Sequence, residues 1–252
     1  MDALKVYKKL LAYFGPQGWW PIFDKKSQKC CYSATIGNQV PASKKFEICV
    51  GAILTQNTAW KNVEKALANL SLRAPYSGRG NPINPKMILS CKNLETLIQP
   101  AGYYNQKAKK LRIFADWWLS CCHCEESAMK QSRRPSVIPH LMRDPGIATP
   151  LEGLAMTEMR CDILSLWGIG PETADSILLY AFNQPIFVID AYTKRLCKEF
   201  DIEFKTYDEY RQFFESQLSN SAKLFNEYHA LIVAWGKLHS KDKELAVNIL
   251  TD

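Results

Sequence analysis

Residues 162–195 read DILSLWGIGPETADSILLYAFNQPIFVIDAYTKR, and the fold can be read outward from them. The stretch parses as helix, tight turn, helix, short apolar crossing, then an acidic residue. Gly168 and Gly170 bracket Ile169, in a turn that needs positive φ or a close backbone approach. Ahead of it Ile163, Leu164, Leu166 and Trp167 fit one helical face. After it Ala174, Ile177, Leu178 and Ala181 recur at helical spacing. Pro171 sits where a first-turn proline is tolerated, and Glu172 puts an acidic side chain in the same turn. The first turn of such a helix carries N–H groups with no intrahelical acceptor, so Gly168–Gly170 is a candidate phosphate site. Eighteen residues beyond Glu172 stands Asp190, after the apolar run Pro185-Ile186-Phe187-Val188-Ile189. A carboxylate there is either a helix N-cap or a charge held at the mouth of a cleft, and the two duties are compatible.

Bulk properties narrow the classes. At 252 residues and 47% hydrophobic content the chain holds one large domain or two small ones, and disorder throughout is excluded. A net charge of +7 favours a polyanionic partner. No apolar run approaches the roughly 18 residues of a membrane span. The N-terminal MDALKVYKKLLAYFG lacks a signal-peptide pattern and reads as an amphipathic helix. A cytoplasmic, nucleoid-associated location is expected. The nine cysteines are odd in number and come without a secretory signal, so no disulfide framework is expected. Cys121-Cys122-His123-Cys124 is too tightly spaced for a usual zinc pair and has no second pair; it reads as the thiol-rich end of a helix, not a metal site.

Along the chain, helices are predicted over 3–14, from Lys45 through Leu54, over Trp60–Leu70, near 87–90 and 94–98, and through LRIFADWWLSC (111–121). Further helices are predicted over 207–217, 223–238 and 241–249. Residues 24–43 read as a loop or short hairpin, 72–86 as a loop, and 125–149 as a polar, proline-rich insert. Strand signals are nearly absent, so the expected class is all-α.

A helix–GIG–helix followed at this distance by an aspartate resembles the helix-hairpin-helix DNA glycosylases of the endonuclease III superfamily. LTQNT (54–58), PAGYYNQKAKKL (100–111) and VIDAYTKRL (188–196) resemble further motifs of that family, and with WWP (19–21) the likeness is greatest to its 3-methyladenine DNA glycosylase III branch. The resemblance spans nearly the whole chain outside 24–43 and 125–149. It implies two helical domains with a DNA-binding cleft between them: a contiguous bundle over 44–183, with the hairpin near 160–181, and a second domain from 1–43 plus 184–252.

It also implies roles. Asp190 matches the catalytic aspartate. Bifunctional members carry a nucleophilic lysine in the hairpin's second helix, and Glu172 stands at that position. A carboxylate forms no Schiff base, so a monofunctional enzyme is implied. The iron–sulfur members need four cysteines near the C-terminus, and none follows Cys197 here. Lys241 resembles a structural, modified lysine of the glycosylase III branch; its alternative is an ordinary surface lysine. Trp19 and Trp60 would flank a flipped base, with Trp20 and Pro21 shaping the pocket, whereas tryptophans also simply pack cores. Trp117-Trp118 reads as core. Gln56 would fill the gap left by the base or else is a plain turn residue. Gly168, Gly170 and Thr173 would hold phosphate. Lys107, Lys109 and Lys110 either reach phosphates or form a solvated helix face. No cofactor is expected apart from a monovalent cation that such hairpins often hold. The implied partner of this monomer is double-stranded DNA with damaged bases, alkylated purines first. A glycosylase for a mismatched or oxidised base, or a non-catalytic DNA-binding module, are the other readings.

Overall fold

The structure is a computed structural model that describes residues 1–24, 26–32, 40–73, 83–128 and 151–251, with the backbone alone for 73, 122–128 and 151–156. Its helices are α1 (Ala3–Phe14), α2 (Ala42–Leu54), α3 (Trp60–Arg73), α4 (Pro85–Ser90), α5 (Leu94–Leu97), α6 (Tyr104–Ala128), α7 (Leu151–Ser165), α8 (Pro171–Phe182), α9 (Ala191–Lys198), α10 (Tyr207–Glu215), α11 (Ala222–His239) and α12 (Lys243–Thr251). A small antiparallel hairpin joins β1 (Ile22–Asp24) to β2 (Lys29–Cys31), pairing Ile22 with Cys31. The class is all-α, as expected. Of the polar insert expected over 125–149, residues 125–128 continue α6 and 129–149 lie outside the described residues.

The chain divides into two compact units. One comprises Ile22–Cys31 and Val40–Ile177; the other comprises Met1–Pro21, Tyr32–Gln39 and Leu178–Asp252. These bounds differ from the expected ranges at residues 22–31, 40–43 and 178–183. The β-hairpin goes with the bundle, because Glu47 of α2 accepts from the Phe23 amide at 2.7 Å and is paired to Lys44 at 3.0 Å. The second division falls inside α8, because Leu178–Phe182 are buried and the Gln184 amide turns back onto the Leu178 carbonyl at 3.0 Å.

In the bundle unit, α2 is buried from Lys45 through Leu54. Phe46 meets Phe114 and Trp118 of α6 at centroid distances of 6.0 and 5.2 Å, which bears out the core reading of Trp118. In the other unit, α1 is capped by Asp2, whose carboxylate accepts from Lys5 N at 2.9 Å, and packs on α11 and α12. Its core stacks Phe187 on Phe214 at 4.3 Å, with Phe225 and Tyr228 edge-on to Phe187.

The apolar crossing 185–189 forms no strand. Its side chains from Ile186 to Ile189 are buried; the Ile186 amide donates to Gln184 O at 2.8 Å, and two further amides find side-chain acceptors instead of a ladder. Phe187 N donates to Glu215 Oε1 at 2.9 Å, and Ile189 N to Tyr207 Oη at 3.2 Å. Both acceptors come from α10, so the backbone leading into Asp190 is pinned from one side.

Candidate active site and helix hairpin

The hairpin is built within the bundle unit. Arg160 of α7 holds the fully buried Asp175 of α8 through two bonds of 2.6 and 3.2 Å, which fixes how the two helices meet. Helix α7 ends at Ser165, and the turn closes by Ile169 N donating to Leu166 O at 3.1 Å. Trp167 therefore lies beyond the helix, not on its apolar face as the spacing suggested. It is 48% exposed, with the Lys109 ammonium 4.3 Å from its ring centroid.

Gly168 has φ +80°, and a Cβ there would meet Lys110 Cε at 2.4 Å. Gly170 faces open space: a Cβ added there would find nothing within 4 Å, so a ligand could approach its backbone closely. Gly168→Ala is expected to cost about 1–2 kcal/mol in urea unfolding, chiefly from the left-handed backbone, since the lysine tip is able to swing away. Adding Lys110→Ala should leave most of that loss; full recovery would show that the clash, not the backbone, was the cause.

Gln56 is tied to this turn. Its Nε2 donates to Gly168 O at 3.2 Å and Thr173 Oγ1 at 2.9 Å, while its Oε1 accepts from Lys110 Nζ at 2.6 Å. The Thr173 hydroxyl is thus buried and engaged with Gln56, although its backbone amide lies in the first turn of α8, where N–H groups have no intrahelical acceptor. The Leu166 and Gly168 carbonyls each already accept a hydrogen bond, which a hairpin cation would have to share. Lys107 is no solvated-face residue: it is 2% exposed, and its Nζ donates to Leu54 O at 2.9 Å and Ala101 O at 2.8 Å.

Asp190 lies in the other unit and caps α9. Its Oδ1 accepts from Thr193 N at 2.7 Å and from Thr193 Oγ1 at 2.9 Å. Its Oδ2 faces His229 Nε2 at 3.5 Å. Burial pushes the Asp190 carboxyl up, but His229 and Thr193 outweigh it and hold the group below the usual carboxylate range. The other nitrogen of His229, Nδ1, stands 2.5 Å from Tyr180 Oη. Burial, helped by Asp190 and Glu227, pushes the Tyr180 phenol far up, so it stays protonated. Tyr180 also packs its ring on Trp20 at 5.0 Å. Neither Tyr180 nor His229 stood out in the sequence. The one available signal was a lone histidine in the apolar run YHALIVAW (228–235).

The family model of the HhH-GPD superfamily base excision DNA repair protein matches residues 50–219, which include both the hairpin and Asp190. The chain belongs to the HhH-GPD superfamily. It is 35% identical over 248 residues to "Putative DNA repair glycosylase MJ1434" of Methanocaldococcus jannaschii, covering 97% of this chain and 91% of that one. The crystal structure of the Helicobacter pylori 3-methyladenine DNA glycosylase MagIII bound to 1,N6-ethenoadenine matches with a TM-score of 0.61 at 26% identity, over 96% of this chain and 99% of that one. A trapped endonuclease III–DNA covalent intermediate shares the fold, with a TM-score of 0.53 at 16% identity over 83% and 84% of the two chains. This HhH-GPD protein is a DNA repair glycosylase that acts on DNA.

The aromatic residues of this HhH-GPD glycosylase are split between the units. Trp60 opens α3 in the bundle unit and is half-buried. Trp19, Trp20 and Pro21 belong to the other unit. Trp20 and Pro21 are buried, whereas Trp19 is half-buried beside Trp20 and Tyr32, at 5.7 and 5.6 Å. Trp19 also helps line a cavity of about 400 Å³ with Tyr7, Leu11, Asn226 and Glu227. Glu172 projects from the first turn of α8 at the surface, and Lys241 is exposed just past α11. Cys121 lies in α6; the side chains of residues 122–124 are outside the described residues.

Proposed function

We propose that this glycosylase is monofunctional and removes alkylated purines, of the 3-methyladenine type, from double-stranded DNA. The observation that carries the reading is Asp190: a nearly enclosed carboxylate kept ionised, with one oxygen engaged by Thr193 and the other turned to His229. Breaking an N-glycosidic bond develops positive charge on the sugar. An anion held beside it stabilises that charge without reorganising, and can accept a proton from an attacking water. The base must first leave the stack. Gln56 would occupy the gap by exchanging its bonds to Gly168 and Thr173 for bonds to the orphaned partner base. The amides of Gly168, Gly170 and Thr173 would receive a phosphate at the start of α8.

Two features support the narrower claims. Glu172 replaces the lysine that strand-cleaving relatives would need, so water is the nucleophile. Trp19, Trp20 and Pro21 supply aromatic and apolar surface in the unit that holds Asp190, and an alkylated purine that carries positive charge gains a cation–π attraction to such rings. The likeness to the H. pylori 3-methyladenine enzyme points the same way.

The test is to incubate the protein with methylated duplex DNA. Free 3-methyladenine should be released, the strand should stay intact, and borohydride should trap no protein on DNA. Efficient trapping would overturn the monofunctional assignment. Release of only mismatched or oxidised bases would overturn the substrate assignment, and tight binding with no release of any base would indicate a binding module.

A further inference from the structure

We propose that His229, oriented by Tyr180, is a positioning residue for Asp190: it presents Nε2–H to Oδ2 and so fixes how that oxygen is offered to the reaction. The inference rests on the reading of Asp190 as the catalytic carboxylate. The two carboxylate oxygens have separate surroundings. Thr193 takes Oδ1 with two bonds, which is the N-cap duty. Oδ2 is the oxygen left for chemistry, and among the described residues the group facing it is His229 Nε2.

The tautomer follows from the two neighbours together. The ionised Asp190 carboxylate can only accept, which keeps the imidazole proton at Nε2, and the protonated Tyr180 phenol, only 2% exposed, then donates to Nδ1 across 2.5 Å. A neutral imidazole that accepts at Nδ1 carries its proton at Nε2. That N–H is buried, has no other acceptor among the described residues, and points at the carboxylate. At 3.5 Å the contact is too long to be strong. Catalytic hydrogen bonds are often long in the free enzyme and tighten once substrate is bound. A histidine that only filled the core would have both nitrogens satisfied.

Other titratable groups bear on the pair. Tyr180 comes from α8, Glu227 from α11 and Tyr207, through the neighbouring Ile189 amide, from α10. None of them donates to Oδ2. Without His229, burial would act on Asp190 opposed by Thr193 alone, and protonation would occur at higher pH. The acid limb of the pH–rate profile should therefore move up.

The experiment measures single-turnover base release from methylated duplex DNA between about pH 3 and 8, with the uncatalysed release at each pH subtracted. His229→Ala should move the acid limb up by about one unit, a loss that approaches tenfold at pH values below the wild-type limb and vanishes toward neutral pH. His229→Gln, whose amide can replace Nε2–H, should regain part of the loss, and Tyr180→Phe should shift the limb the same way by less. A loss equal at every pH, with no rescue by glutamine, would overturn the inference while leaving Asp190 catalytic. Full activity of Asp190→Asn would instead remove the reading on which it rests. Nitrogen-15 NMR of the wild-type protein, which needs no activity, should find His229 protonated at Nε2; protonation at Nδ1 alone would also overturn it.

Discussion

Asp190→Asn is expected to slow base release by about a thousandfold, the scale of losing a positioned carboxylate that stabilises charge and activates water. The same change should leave stability almost untouched. Asparagine caps helices about as well as aspartate, and its side-chain oxygen can still accept from Thr193 N, which lies 2.7 Å from Oδ1 in the wild type. Asp190→Ala should be equally inactive and also lose the cap, worth about 1 kcal/mol or roughly 2–4 °C in Tm. Single-turnover assays beside thermal melts of both variants separate the two duties of one residue. If Asp190→Asn released base at the wild-type rate, the carboxylate would be a cap and nothing more.

Lys107→Met is expected to damage stability more than any of the changes above. Methionine roughly fills the volume, so the cost comes from polarity. Lys107 Nζ bridges Leu54 O, at the end of α2, and Ala101 O, in the short 3₁₀ turn before α6, at 2.9 and 2.8 Å. Losing the donor leaves two buried carbonyls unpaired, about 1–3 kcal/mol each. Leu54 directly precedes the turn that carries Gln56, so the hairpin contacts of Gln56 should loosen as well.

Burial and the nearby Lys110 hold Lys107 down at about 8. The unfolded lysine titrates near 10.4. Between those values the unfolded chain binds the extra proton, so wild-type stability gains from this group as pH rises through that window. Neutral lysine keeps two N–H groups, enough for both carbonyls. Subtracting the Lys107→Met stability curve from wild type, across about pH 7.5 to 10.5, should show an upward slope. A flat difference would mean that Lys107 titrates normally.

Much of the chain is legible locally. The hairpin can be read because Gly168 needs φ +80° and Pro171 starts a helix, constraints that act within a few residues. Asp190 can be read as a cap because its acceptor geometry involves Thr193, three positions on. Lys107 cannot be read. In KAKK (107–110) three lysines look alike, and burial of one depends on where α2 ends in space. Trp167 is misplaced by its spacing, because helical periodicity cannot say that α7 stops at Ser165.

Residue order alone specifies an all-α chain, the glycine turn between two helices and the aspartate after an apolar run, which follow from residue type and short-range spacing; it is the family resemblance that marks Glu172 as standing where a nucleophilic lysine would be. The surroundings of the aspartate are set by packing in three dimensions. Tyr180 and His229 come from helices on either side of it in the chain, 10 residues before and 39 after. Their hydrogen bonds depend on how α8, α9 and α11 pack, and no local spacing encodes that.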